Sequence, residues 1–287
     1  MKSIKKRMAG RRDSLISFGI VILAYIVIQI MISTGNISSS LKGQLVPICA
    51  YIVMAVSLNL TVGFLGELSL GHAGFMSVGA FTGIVVTTSL AQAIPSAPLR
   101  LAIAMIIGGI FAAVAGVIVG VPVLRLKGDY LAIVTLAFGE IIKNIINVLY
   151  IGMDGNGLHF SLLEQRFALE DGGKMIINGP MGVSGVTKIS SFTSGIILIL
   201  ITLFLILNLV HSRTGRAVMS VRDNRIAAES IGISATRYRL LAFVISAAFA
   251  GMAGTLYAMN FSTVTANKFD FNTSIPVSYT HLTLPTT

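Results

Sequence analysis

Of the 287 residues in this chain, 54% are hydrophobic and 11% are charged, and the mean hydropathy is +0.87. Soluble domains carry about a quarter of their residues charged, so the composition excludes a water-soluble globular protein and implies a polytopic membrane protein. The net charge of +10 would suit nucleic acid, but Lys and Arg cluster beside apolar runs. Membrane orientation accounts for that pattern, and no nucleic-acid partner is expected.

The chain opens with MKSIKKRMAGRR, followed by a long apolar run. The run exceeds the core of a signal peptide and no small-residue cleavage site follows, which predicts a retained first helix behind a basic tail, residues 1–14. Crossing the hydrocarbon core takes about 20 apolar residues. Spans are expected at 15–33, 45–62, 70–90, 99–121, 130–151, 192–210 and 240–261. Cys49, the single cysteine, lies inside one of them, so no disulfide framework or zinc cluster is expected. With the N-terminus inside, the inner side carries six Lys and Arg in the tail, Arg125, Lys127, and six more from Arg213 to Arg239. The outer side holds Lys42, Arg100, Arg166, Lys174, Lys188 and Lys268. That bias predicts a cytoplasmic N-terminus. The fold class is therefore all-α: a polytopic transmembrane helix bundle with about seven visible spans.

Residues 57–83 form the least regular membrane segment. Glycines fall at 63, 66, 71, 74, 79 and 83, with polar Glu67 and His72 among them. Glycine tolerates unusual backbone angles, and irregular backbone at membrane depth needs cover from protein or a water-filled cavity. Two readings stand side by side: a broken or re-entrant span exposing backbone to a substrate path, or close packing through Gly79-x-x-x-Gly83. Glu67 and His72 are candidates on the first reading and satisfied interfacial residues on the second.

Further on, Ala112, Gly116 and Gly120 share one helix face, as do Ala247 with Gly251 and Ala250 with Gly254, the pattern of closely packed helices. The span 130–151 holds Glu140 and Lys143 three residues apart, with Asn144 and Asn147 nearby. Charges at membrane depth face the bundle interior and pair. An ion pair fits there better than a proton relay, because Lys143 would keep Glu140 ionised. Residues 152–191 make a loop of about 40 residues, long enough for a small folded excursion. Within it Gly182-Val-Ser184-Gly185 matches the GxSG of intramembrane serine proteases, but it lies outside any span and only His72 among the histidines is inside one. No phosphate-binding loop occurs, since Gly173-Lys174 is followed by Met175.

The segment 212–238 carries Arg213, Arg216, Arg222, Arg225 and Arg237 against Asp223 and Glu229. A loop so basic between two spans should face the cytoplasm. Residues 223–231 read as a short helix capped by Asp223 or Asn224 and ended by Gly232, with Ala227, Ala228 and Glu229 favouring helix. A short helix held by two membrane helices suits passing a push from a soluble partner into the membrane.

Three blocks together carry a resemblance: SLNLTVGFLGELSLGHAGFMSVGAF, LRLKGDYLAIVTLAFGEIIKN and GRAVMSVRDNRIAAESIGISATRYRLLAFVISAAFAGMAGTLYA. In that order they resemble permease subunits of branched-chain amino-acid ABC transporters, over residues of about 45 to 275. NGPMGVSGV, 178–186, resembles the family's glycine-rich external motif, so the GxSG is read as loop structure. The cytoplasmic loop is similar to the coupling helix of ABC importers, whose signature is EAA, three residues, then glycine. Ala227, Ala228 and Gly232 match it, and Ile226 stands in place of the glutamate.

The resemblance implies a permease with no catalytic residue, no metal and no cofactor, working by alternating access in the bacterial inner membrane. Its implied partners are a second, homologous permease, two cytoplasmic ATPases, a periplasmic substrate-binding protein and membrane lipid. The coupling residues would be Arg216, Arg222, Asp223, Asn224, Ala227, Ala228, Glu229 and Gly232. Candidates for the translocation path are Glu67, Gly71, His72, Gly74, Glu140 and Asn144. Urea or short amides are alternative cargoes, and a secondary transporter or a membrane enzyme using His72 or Ser184 are competing classes. The permease domain is expected over 15–275. The sequence PVSYTHLTLPTT, 276–287, is read as a non-native tail where a family member would continue into further spans.

Overall fold

The computed structural model describes residues 2–35, 37–91, 93–126, 129–154, 157–163 and 173–270. The tail 276–287, Lys127, and the charged loop residues Glu164, Arg166, Glu170 and Asp171 lie outside the described residues.

The helices are α1 (Lys2–Ser33), α2 (Ser39–Asn59), α3 (His72–Ser89), α4 (Ala97–Val123), α5 (Asp129–Asn147), α6 (Phe192–His211), α7 (Arg213–Asp223), α8 (Arg225–Ser230) and α9 (Ala235–Ala258). Among the described residues six helices are long and apolar enough to cross a membrane, one fewer than the seven spans expected. The difference is α3, whose composition is diluted by His72, Gly74, Gly79, Gly83 and several hydroxyl residues. It is nonetheless largely enclosed, packing on α9, α4 and α5.

The second and third spans are indeed separated by a break. The last turn of α2 passes into a π-helical turn, Leu60–Phe64, and regular structure resumes only at His72. Gly66 takes a φ of +76°, which explains a glycine there. Residues 65–71 thus form a non-helical strap between two membrane helices.

Close approach builds the core. A Cβ on Gly79 would overlap the Gly251 backbone, one on Gly254 the Met76 carbonyl, and one on Gly251 the Ala112 methyl. Thr255 Oγ1 donates to the Gly79 carbonyl at 2.8 Å across the same seam. Small residues let backbones touch, and dispersion and hydrogen bonds hold helices together where lipid supplies no hydrophobic drive. α2 and α6 pack beside this trio, with Gly195 against Cys49. α1 leans on α6, where Tyr25 stacks on Phe192 with ring centroids 5.7 Å apart.

The span expected at 130–151 ends earlier, because 149–151 leave the helix for a strand. Strands β1 (Leu149–Asp154), β2 (Gly157–Leu162) and β3 (Lys174–Asn178) make an antiparallel sheet of order β2-β1-β3, with Ile151 opposite Phe160 and Ile177. Two short strands, β4 (Val183–Ser184) and β5 (Thr263–Val264), pair nearby. Alternation of apolar and polar residues was too brief in these strands to separate them from the apolar run before them.

Candidate functional site

The polar segment between α6 and α9 holds two helices where the sequence suggested one. Ser212 caps α7, its hydroxyl accepting from the Gly215 amide at 3.2 Å. α7 buries Gly215, Ala217, Val218 and Val221 on one side. Val218 meets Leu60, Leu65 and Ala242, so the helix rests on the π-turn, the strap and α9. Those apolar positions, spaced three and four apart, were the signal that sequence reasoning passed over under a run of arginines.

α8 has the caps the sequence called for. Asn224 Oδ1 accepts from the Ala227 amide at 3.0 Å, and Gly232 closes the turn with φ +86°. Ala228 is buried against Val221 and Ala235 and pins the helix. Ala227 and Glu229 face outward, and Arg225 Nε donates to Glu229 Oε1 at 2.9 Å one turn along. Ile226 is 81% exposed and Ile231 74% exposed, two branched apolar side chains on a small, otherwise polar projection. Arg216 and Asp223 are also exposed.

Arg222 reaches from the end of α7 to the strap. Its Nη1 donates to the Gly63 carbonyl at 3.1 Å while Nε and Nη2 hold Asp223 Oδ1. A Cβ on Gly66 would press on the Arg222 stem. On the strap's other side Glu67 forms an ion pair with Arg239 of α9, a guanidinium buried to 5% exposure. Burial pushes the Glu67 carboxyl above the usual carboxylate range, and the Arg239 and Arg225 charges pull against that. Glu67, Arg239, Arg222, Asp223, Arg225 and Leu131 line a cleft of about 650 Å³. Arg239 was the residue sequence reasoning missed. An arginine opening an apolar span needs an acidic partner.

The path candidates do not form one cluster. Gly71 and Gly74 abut Thr135 and Gly139 of α5 and share a narrow gap with Glu140. Glu140 itself pairs with Lys143, whose Nζ also donates to Asp270 at 3.2 Å. Asn144 is exposed on α5. His72 lies apart, between α2, α3 and α9. Its Nε2 is 2.9 Å from Ser246 Oγ, and that hydroxyl donates to the Ser57 carbonyl. With the Ser246 proton so used, His72 donates through Nε2. Ser184 sits on β4, in a different part of the fold from His72.

The geometry is that of a membrane bundle with an exposed two-helix projection tied to a break in the bundle. A family described as branched-chain amino acid transport system / permease component matches residues 40–280. The permease protein LivM of the high-affinity branched-chain amino acid transport system of Salmonella typhimurium is 34% identical over 264 residues, 87% of this chain and 59% of that protein. LivM of Escherichia coli is 38% identical over 231 residues, 77% of this chain and 53% of that protein. A fructose import permease protein, FruG, of Bifidobacterium longum is 24% identical over 210 residues, 73% of this chain and 56% of that protein. The chain thus spans between half and two thirds of the length of these relatives. No solved structure matches it. Family match and relatives agree with the helix bundle: the chain belongs to the permease components of branched-chain amino acid transport systems.

Proposed function

We propose that this chain is a permease subunit of an ATP-driven importer, moving Leu, Ile or Val across the bacterial inner membrane by alternating access. ATP hydrolysis occurs on two separate ATPase chains, a homologous second permease completes the membrane part, and a periplasmic binding protein delivers the cargo. The N-terminal tail and the α7–α8 projection face the cytoplasm, consistent with their Lys and Arg.

The observation that carries this reading is α8: a capped, pinned helix presenting Ile226 and Ile231 to solvent beside Arg222 and Arg225. Isolated apolar side chains on a polar helix suit a groove in a soluble partner, where they act as anchors inside a polar rim. A secondary transporter has no use for such a projection. In the reconstituted transporter containing this chain, Ile226→Asp should release the ATPases on pull-down and abolish ATP-driven leucine uptake. Retained ATPase binding with full uptake would overturn the reading. Competition of labelled leucine against urea and fructose assigns the cargo class.

A further inference from the structure

The strap 65–71 is fastened from both sides. Arg222 on α7 donates to the Gly63 carbonyl just ahead of it, and Arg239 on α9 holds Glu67 within it. Arg239 also donates to the Leu126 carbonyl, beyond the end of α4, at 3.5 Å. The far end of the strap is fixed to α5, where the Leu70 amide donates to Thr135 Oγ1 at 3.1 Å and Gly71 lies against the Thr135 carbonyl. His72 follows at once and opens α3.

We propose that this strap carries displacement of α7–α8 to α3 and α5, beside the direct contact of α7 with α9, with Arg222, Glu67 and Arg239 as its positioning residues. The inference rests on the coupling role of α8 given above. Two features of the packing single out the strap. α3, α4 and α9 touch backbone to backbone through Gly79, Gly251, Gly254 and Gly108 and pack as one block. Only the strap's first residues bond back to the π-turn, the Leu65 amide to the Leu60 carbonyl at 3.2 Å and the Glu67 amide to the Thr61 carbonyl at 3.0 Å, and it lies beside a cleft of about 650 Å³ into which it can shift. Coupling needs a contiguous chain of contacts containing an element with two arrangements. The Glu67–Arg239 pair would hold the strap against α9 in one of them, and Arg222 makes the strap follow α7.

The test uses the whole reconstituted transporter, with ATP hydrolysis and leucine uptake measured on the same vesicles. Glu67→Arg and Arg239→Glu should each lower uptake about tenfold while ATP hydrolysis changes less than about twofold, within the usual range of coupling effects. The double swap should recover at least half of the uptake. Uptake and hydrolysis falling in parallel, or single variants with full uptake, would overturn the inference. If the swapped chains fail to accumulate in the membrane, Arg222→Ala decides, because that side chain is 41% exposed and its removal leaves no buried charge unpaired. It should lower uptake about fivefold at unchanged hydrolysis, and full uptake would overturn the strap's role. Ile226→Asp run alongside separates the two readings. If it uncouples while the strap variants behave as wild type, only the strap is wrong. If it has no effect, the coupling role of α8 falls.

Discussion

α1 and α3 make opposite use of their side chains. The membrane window of α1 has a mean hydropathy of 2.4 and none of it is buried in the protein. α3 is too polar and glycine-rich to qualify by composition, yet 12 of its 18 residues are buried. Between these two helices, high hydropathy goes with contact to lipid and glycine with contact to protein. The apolar side chains of α1, with Leu23 and Ile20 more than 60% exposed, remain in hydrocarbon whether or not the helix docks. The side of α3 that carries Gly79 and Gly83 is useful only where another backbone meets it.

Three substitutions would break or sharpen that contrast. Gly254→Leu drives a side chain into the Met76 carbonyl and the Ala80 amide, and should cost about 3 kcal/mol in denaturant unfolding in detergent micelles. A loss below about 1 kcal/mol would mean that α3 and α9 do not meet there. Thr255→Val keeps the shape and removes the hydrogen bond to Gly79, and the same assay should show a loss of about 0.6–1 kcal/mol. Leu23→Ala on α1 should change stability by less than about 0.5 kcal/mol, since that side chain faces lipid in both states. A larger change would place a protein partner on α1.

Locally encoded features were the legible ones. The break after α2 is written in Gly63, Gly66 and Gly71, the ends of α8 in Asn224 and Gly232, and the packed faces of α4 and α9 in their small residues. Each depends on backbone chemistry within a few positions. Glu67–Arg239 and His72–Ser246 were not legible, because both pairs join residues more than half the chain apart. α7 was hidden by composition: its arginines mark a loop, while Ala217, Val218 and Val221 mark a helix face. The strands β1 to β3 were lost for the reverse reason, with 149–151 continuing the apolar run of α5. Of the candidate site residues, the ends of α8 could be named from local sequence, Asn224 before it and Gly232 after it. The path candidates scattered, because which polar groups share a cavity depends on how helices cross.

The break between α2 and α3 also bears on how the chain is made. The Leu70 amide donates to Thr135 of α5, and α3 finds much of its cover on α9. Lipid offers neither a hydrogen bond for that amide nor a partner for the bare glycine face. α3 therefore lacks much of its cover until residues from Ala235 onward emerge. Chains halted before α9 should leave α3 more open to labelling at cysteines introduced into the face that α9 otherwise closes.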